Sequence, residues 1–249
     1  MNGSEERPRH RTVLVTGASS GIGQQTCRVL AAAGDHVHAV ARRADRLAEL
    51  ERLGVVPHPT DLTNEEQVIQ LGRELPELDA VIHCAGGARG SAPVVESTTE
   101  DWQWMWSTNV MGTMFLLRQL VPRLIAQGHG HVVVVTSVAS FEALDNSAGY
   151  STSKHAQSAL TQTLRSELLN TTVHVTEIAP GLVDTEFFQQ RFPGDLTRAQ
   201  QVFTGIAPLT PIDIAHAIQY AIDQPDHVNI DRIVLRPNAQ GSYGRFHRS

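Results

Sequence analysis

The 249-residue sequence predicts an α/β fold, a doubly wound sheet of seven parallel strands with helices on both faces, and three observations predict it. A β-branched run, Thr12-Val13-Leu14-Val15, leads into Thr16-Gly17-Ala18-Ser19-Ser20-Gly21-Ile22-Gly23 and then a helical pattern through Ala33: strand, glycine loop, helix. Strand-like runs and helical patterns then alternate to the end of the chain without an internal repeat or a compositional break. The valine run 132–135 has no polar face, as expected of a strand covered on both sides. With 41% hydrophobic residues the chain can bury a sizeable core. The expectation is one domain over residues 12–249, behind a polar, disordered tail of residues 1–11.

In the glycine loop, small residues permit a tight turn and close backbone approach, and the free N–H groups at the helix start suit a pyrophosphate. The spacing, Gly-x-x-x-Gly-x-Gly, differs from the commoner Gly-x-Gly-x-x-Gly, but its place between first strand and first helix points to a dinucleotide. The second strand, 36–41, ends at Arg42-Arg43 with no acid beside it. An acid there would favour NAD, whereas Arg42, with Arg43 in support, suits the 2′-phosphate of NADP. Val55-Val56 is the predicted core of a third strand ending near Asp61-Leu62. Asp61 is either an adenine contact or the N-cap of the helix that follows. A fourth strand, 79–84, runs into Ala85-Gly86-Gly87, again open to a ligand.

Residues 101–126 read as one long helix carrying Trp102, Trp104 and Trp106, with Asn109 inside it, where an amide is favourable only if it finds partners. After the valine strand, Ser137 opens the stretch to Lys154. On a helix from 150 to 168, Tyr150 and Lys154 lie four apart on one face. A nearby cation favours the phenolate, so Lys154 is expected to lower the Tyr150 pKa and make the phenol a usable acid. Ser137, at a strand end, is placed to polarise a carbonyl oxygen. Lys154 is also the only lysine among 20 Lys plus Arg residues. A sixth strand is expected at 173–178, a helix from Ile212 to Ile222 and a seventh strand at 230–235. Residues 184–206 hold four of the seven phenylalanines, Phe187, Phe188, Phe192 and Phe203, and suggest a lid. A polar tail, 237–249, closes the chain.

The formal charge of −6 gives no basic field for nucleic acid or an anionic membrane, which leaves a small molecule as the expected partner. Cys27 and Cys84 show neither disulfide nor metal spacing, and the twelve histidines are scattered, so no metal is expected. The polar start and the lack of a long apolar run predict a cytoplasmic protein.

Together these residues resemble the classical short-chain dehydrogenase/reductase family along nearly the whole chain, with its Rossmann-like fold. The resemblance implies a cofactor loop at Thr16–Gly23 (Gly17, Ser19, Ser20, Gly21, Ile22, Gly23), an adenine contact at Asp61-Leu62, and cofactor contacts at Ala85, Gly86, Pro180, Gly181, Val183 and Thr185. It implies a catalytic tetrad of Asn109, Ser137, Tyr150 and Lys154. Tyr150 would protonate the carbonyl oxygen that Ser137 holds, Lys154 would bind the nicotinamide ribose, and Asn109 would hold a water of the proton relay. A homotetramer or homodimer is also implied. One motif departs: where the family commonly has Asn-Asn-Ala-Gly, this chain has His83-Cys84-Ala85-Gly86.

Within the family, Thr185-Glu186-Phe187, Arg191-Phe192-x-Gly194-Asp195 and His227-Val228-Asn229-Ile230 resemble NADP-dependent 3-hydroxy acid dehydrogenases, and also ketoreductases that tailor aromatic, angucycline-type polyketides. The substrate residues expected are Ser137, Tyr150, Phe187, Phe188, Arg191 and Phe192. The aromatic residues favour NADPH-dependent reduction of a bulky polyketide-type ketone in antibiotic biosynthesis. Arg191 favours a serine-like hydroxy acid, and a non-catalytic NADP sensor would show a damaged tetrad.

Overall fold

A computed structural model describes residues 10–248. The expected disorder of residues 1–9 lies outside them, but His10 and Arg11 correct the tail boundary. Arg11 ion-pairs with Asp35 and with Asp223, both at 2.8 Å, and so ties the start of the first strand to two later turns.

Seven strands, β1 (Thr12–Thr16), β2 (His36–Ala41), β3 (Val56–Pro59), β4 (Ala80–His83), β5 (Gly130–Val135), β6 (Val173–Pro180) and β7 (Arg232–Leu235), form one sheet. They run in the order β3-β2-β1-β4-β5-β6-β7. All six pairings are parallel. Side chains alternate between the faces. Val13, Val15, Ile82 and Val133 point into one core, which Ile214 and Ile218 of α9 (Pro211–Ile222) and Leu30 of α1 (Gly21–Ala32) cover. Leu14, Val81, Val132 and Val134 point into the other, beneath Val68 of α3 (Glu65–Glu74) and Leu116 and Leu120 of α5 (Gly112–Gln127). The valine run is therefore unbroken because both faces of β5 are covered. Each such side chain contributes about 1.5–3 kcal/mol by burial.

Three local expectations change. The long helix of 101–126 is α4 (Thr99–Trp106), a π-helical turn (Ser107–Met111) and then α5. The wider turn lets Asn109 reach partners outside the helix, the condition under which π turns persist. Val55 is buried but precedes β3, whose first residue, Val56, is 45% exposed because β3 is the sheet edge. The cap of α3 is Asn64, whose side chain accepts from Gln67 N, and not Asp61. Asp61 instead accepts from Thr63 N and Oγ1 in a local turn.

Candidate active site

The strand order reverses direction between β1 and β4, and the C-terminal ends of these strands open a crevice there, the usual ligand position in open α/β sheets. Two cavities of about 500 and 300 Å³ share Ile22, Cys84, Gly86, Thr185 and Phe187 and so form one cleft.

The larger half lies over the glycine loop. Gly17 has φ +67°, and a Cβ there would meet Ala85 N at 2.9 Å, so only glycine lets β1 turn against the β4 loop. A Cβ on Gly23 would sit 2.5 Å from Gly17 O. α1 begins at Gly21 with no acid in its first turn and no capping bond from Ser20, which leaves its positive end open to an anion. The same cavity is lined by Ser19, Ser20, Arg42, Arg43, Asp61, Leu62, Ala85 and Thr185. Of the two arginines Arg43 is the engaged one. It donates to Ser19 Oγ (3.0 Å) and Ser20 Oγ (3.0 Å) and ion-pairs with Glu186 at 3.2 Å, while Arg46 reaches the same carboxylate at 3.4 Å.

The smaller half gathers Ser137, Tyr150, Lys154, Pro180, Gly181, Val183, Phe187, Phe188, Arg191 and Phe192. Ser137 follows β5 after a single residue, Thr136, and α6 (Ala148–Glu167) carries both Tyr150 and Lys154 on a buried face. The Lys154 ammonium lies 6.0 Å from the centre of the Tyr150 ring. The expected effect of Lys154 on the phenol is corrected. Burial pushes the Tyr150 pKa up, and Tyr243 adds to the rise, while the hydrogen bond with Ser137 and the charge of Arg191 oppose it. Burial also lowers Lys154 to about 8, because its charged form is the costly one. Tyr150 is thus held as a protonated donor.

Asn109 is brought to the same place but its amide is committed: Oδ1 accepts from Gly87 N, and Nδ2 donates to Gly87 O and Ser153 Oγ, all at 2.9 Å. It clamps the β4 loop to α6. The side chain has no remaining donor for a water.

Arg191, on the short helix α7 (Phe187–Arg191), is buried. It donates to Gly90 O at 3.1 Å, Asn146 O at 3.3 Å and Ser147 Oγ at 3.1 Å, and its guanidinium lies 5.9 Å from the Tyr150 ring centre. Among the described residues no carboxylate pairs with it. The phenylalanines pack largely on one another: Phe188 meets Phe187 at 5.1 Å, Phe203 at 5.5 Å and Phe192 at 6.3 Å between ring centres.

Sequence reasoning missed the C-terminal tail. Gln240, Tyr243 and Phe246 line the smaller cavity. Gln240 accepts from Leu182 N at 2.9 Å, and the Tyr243 hydroxyl meets Ser147 Oγ at 2.8 Å. The available signal was a Tyr and a Phe within a run otherwise made of Gly, Ser and Arg.

A family model described as short chain dehydrogenase matches residues 11–195. An uncharacterized oxidoreductase of Mycobacterium tuberculosis is 49% identical over 238 residues, 95% of each chain. A Haemophilus influenzae protein named "Probable NADP-dependent dehydrogenase" is 35% identical over 241 residues, 94% of this chain and 96% of that one. Among solved structures, the closed form of serine dehydrogenase complexed with NADP+ superposes with a TM-score of 0.91 at 33% identity, covering 96% of this chain and all of the other. The crevice and its Ser, Tyr and Lys thus stand in a chain that belongs to the short-chain dehydrogenase/reductase family, oxidoreductases that interconvert CH–OH and C=O groups.

Proposed function

We propose that the protein is an NADP(H)-dependent dehydrogenase whose substrate is a small hydroxy acid, with Ser137, Tyr150 and Lys154 as the reacting side chains. The cofactor fits: the glycine cradle accepts a pyrophosphate, and Arg43 and Arg46 already converge on one anion, the Glu186 carboxylate, beside Ser19 and Ser20. Two guanidiniums gathered at the end of β2 suit a 2′-phosphate. When bound, NADPH supplies the hydride that reduces the carbonyl carbon. Ser137 donates a hydrogen bond to the carbonyl oxygen as its charge develops, and Tyr150 gives that oxygen its proton. Lys154 would hold the ribose of a bound cofactor and keeps a positive charge beside the phenol. In the oxidative direction Tyr150 first gives up its proton to solvent, and the phenolate, stabilised by the Lys154 charge, then takes the proton of the substrate hydroxyl.

The observation that carries the substrate class is Arg191, a buried cation bordering the Tyr150 ring with only neutral acceptors. A substrate carboxylate supplies the missing charge. The cavity of about 300 Å³ also includes the end that a nicotinamide fills, which favours a small substrate. A second reading, a bulky polyketide-type ketone, draws on the ring-lined wall of Phe187, Phe188, Phe192, Tyr243 and Phe246. Most of those phenylalanine faces are spent on each other, so the acid is preferred. The test is competition: serine and other 3-hydroxy acids with NADP+ against fused-ring ketones with NADPH. The acids are expected to dominate, and Arg191→Met to raise their KM about 100-fold, with partial recovery in Arg191→Lys. Faster ketone reduction, indifferent to Arg191→Met, would reinstate the second reading.

A further inference from the structure

We propose that Gln157, itself held by Thr113 and His83, is the positioning residue that fixes the Lys154 ammonium in the site. This rests on the reading that Lys154 serves the reaction. Lys154 is 4% exposed, and a four-carbon stem ending in three donors needs acceptors to hold one position. Two are present: Gln157 Oε1 at 2.7 Å and, more weakly, Val135 O at 3.3 Å. Gln157 lies three residues on along α6 and is wholly buried.

The orientation of the Gln157 amide is forced. An ammonium can only donate, so Oε1 must face it and Nε2 must find an acceptor, which is Thr113 Oγ1 at 2.8 Å. Thr113 spends its one hydroxyl proton on Asn109 O at 2.7 Å, leaving its lone pairs to accept from Gln157 and from His83 Nε2 at 2.9 Å. His83 must then carry its proton on Nε2, so Nδ1 accepts from Thr16 Oγ1 at 2.9 Å, whose oxygen in turn accepts from Ala85 N at 3.1 Å. Each of these side chains finds a partner in this arrangement, whereas the other tautomer of His83 would leave the Thr16 hydroxyl proton without an acceptor among them. Burial lowers the His83 pKa to about 3, which keeps the ring neutral and the pattern intact. Thr16, His83, Thr113 and Gln157 are each 0% exposed, so water cannot substitute for a lost member.

The chain runs from the glycine loop to the ammonium, and it passes through His83, one of the two residues at which this sequence departs from the Asn-Asn-Ala-Gly pattern. Other groups facing Lys154 do not replace Gln157. Glu177 on β6 is bonded to Thr136, Ser140, Ser158 and Arg232. The Cys84 thiol is pushed up to about 12 by burial, and Tyr150 is protonated. Among the described residues Gln157 is the only side chain that accepts from the ammonium.

Because Lys154 is the sole lysine, protein grown on ζ-15N, ε-13C lysine gives a single lysine side-chain signal, and its titration reads this ammonium without substrate or cofactor. Gln157→Met removes the acceptor at similar volume and is expected to lower the midpoint by about one pH unit, a tenfold loss of proton affinity. The alkaline limb of kcat/KM is expected to move down with it, with substrate KM within about twofold of native. Gln157→Glu puts a carboxylate at the same position and is expected to raise the midpoint by at least one unit, which decides the matter if the Met variant does not fold. Midpoints unchanged in the folded variants overturn the proposal. Lys154→Met separates the two claims: full activity there refutes the catalytic reading, while the titration still judges Gln157.

Discussion

Replacing Glu177 by Gln tests how the reacting end of β5 is held. The carboxylate accepts from Thr136 Oγ1 at 2.7 Å, Ser140 Oγ at 3.0 Å and Ser158 Oγ at 3.0 Å, and Arg232 pairs with it at 2.6 Å. Its side chain is 0% exposed, whereas that of Arg232 is 31% exposed. Removing one partner of a buried pair costs about 3–5 kcal/mol, because the other charge is left without compensation. Water reaches part of Arg232, and glutamine keeps the shape and one acceptor, so the lower end applies, about 3 kcal/mol. For a chain of this size that corresponds to about 6–12 °C in Tm. Thermal melts of native and Glu177→Gln protein at pH 7.5 measure it. Adding Arg232→Met should recover part of the loss, since the pair is then removed together. Thr136 immediately precedes Ser137, so kcat should fall in the single variant as well. A Tm within 2 °C of native in Glu177→Gln would refute the argument, because a buried, four-partner charge cannot be replaced that cheaply.

Tyr150→Phe should lower kcat about 10²–10⁴-fold and leave the NADPH Kd within about threefold; a near-native rate would move the acid elsewhere. NADPH should exceed NADH at least about tenfold in kcat/KM, and Arg43→Ala should remove most of that preference, since one charge-assisted bond is worth about 1.5–3 kcal/mol. Equal use of both cofactors by the native protein would unseat the arginine assignment. Burial lowers His83 and His131 from 6.5 to about 3, so below pH 6.5 the unfolded chain takes up protons that the folded one refuses. Stability is therefore lost as pH falls from 6.5 toward 3, by about 3 kcal/mol per imidazole at pH 4. Urea midpoints between pH 7 and 4 should show the slope, and His83→Asn should lessen it; a flat profile would mean that one or both rings are solvated.

The seven strands and the glycine loop were legible because their signals are local: a β-branched run bounded by turns, and a spacing that only a tight strand-to-helix turn requires. Ser137, Tyr150 and Lys154 were legible for a related reason, two of them being fixed by one helical turn and the third by a strand end. What depended on distant chain was not. Burial, a sum over neighbours from several elements, raises the phenol's pKa more than the Ser137 hydrogen bond and the Arg191 charge lower it. The π turn at Ser107–Met111 answers to Gly87 and Ser153, both more than twenty residues from Asn109. The tail looked like solvent-facing polar chain, yet Glu142 binds both Arg236 and the Tyr243 backbone and folds it back over the cavity.

The strand order has a consequence for how the molecule comes to exist on the ribosome. β1 is made first and pairs with β2, β3 joins β2 on the outside, and from then on β4, β5, β6 and β7 are each laid against the free edge left by a strand already made. No strand must be inserted between two existing neighbours, so at every point of synthesis the finished part is a contiguous sheet with one growing margin. The nucleotide-facing loop is therefore shaped early, among the first ninety or so residues of the chain, from β1, β2 and β4. Gln240 and Tyr243, which brace the far wall, leave the ribosome after all seven strands. A nascent chain can thus acquire its cofactor cradle well before it has an enclosed chamber in which to use it.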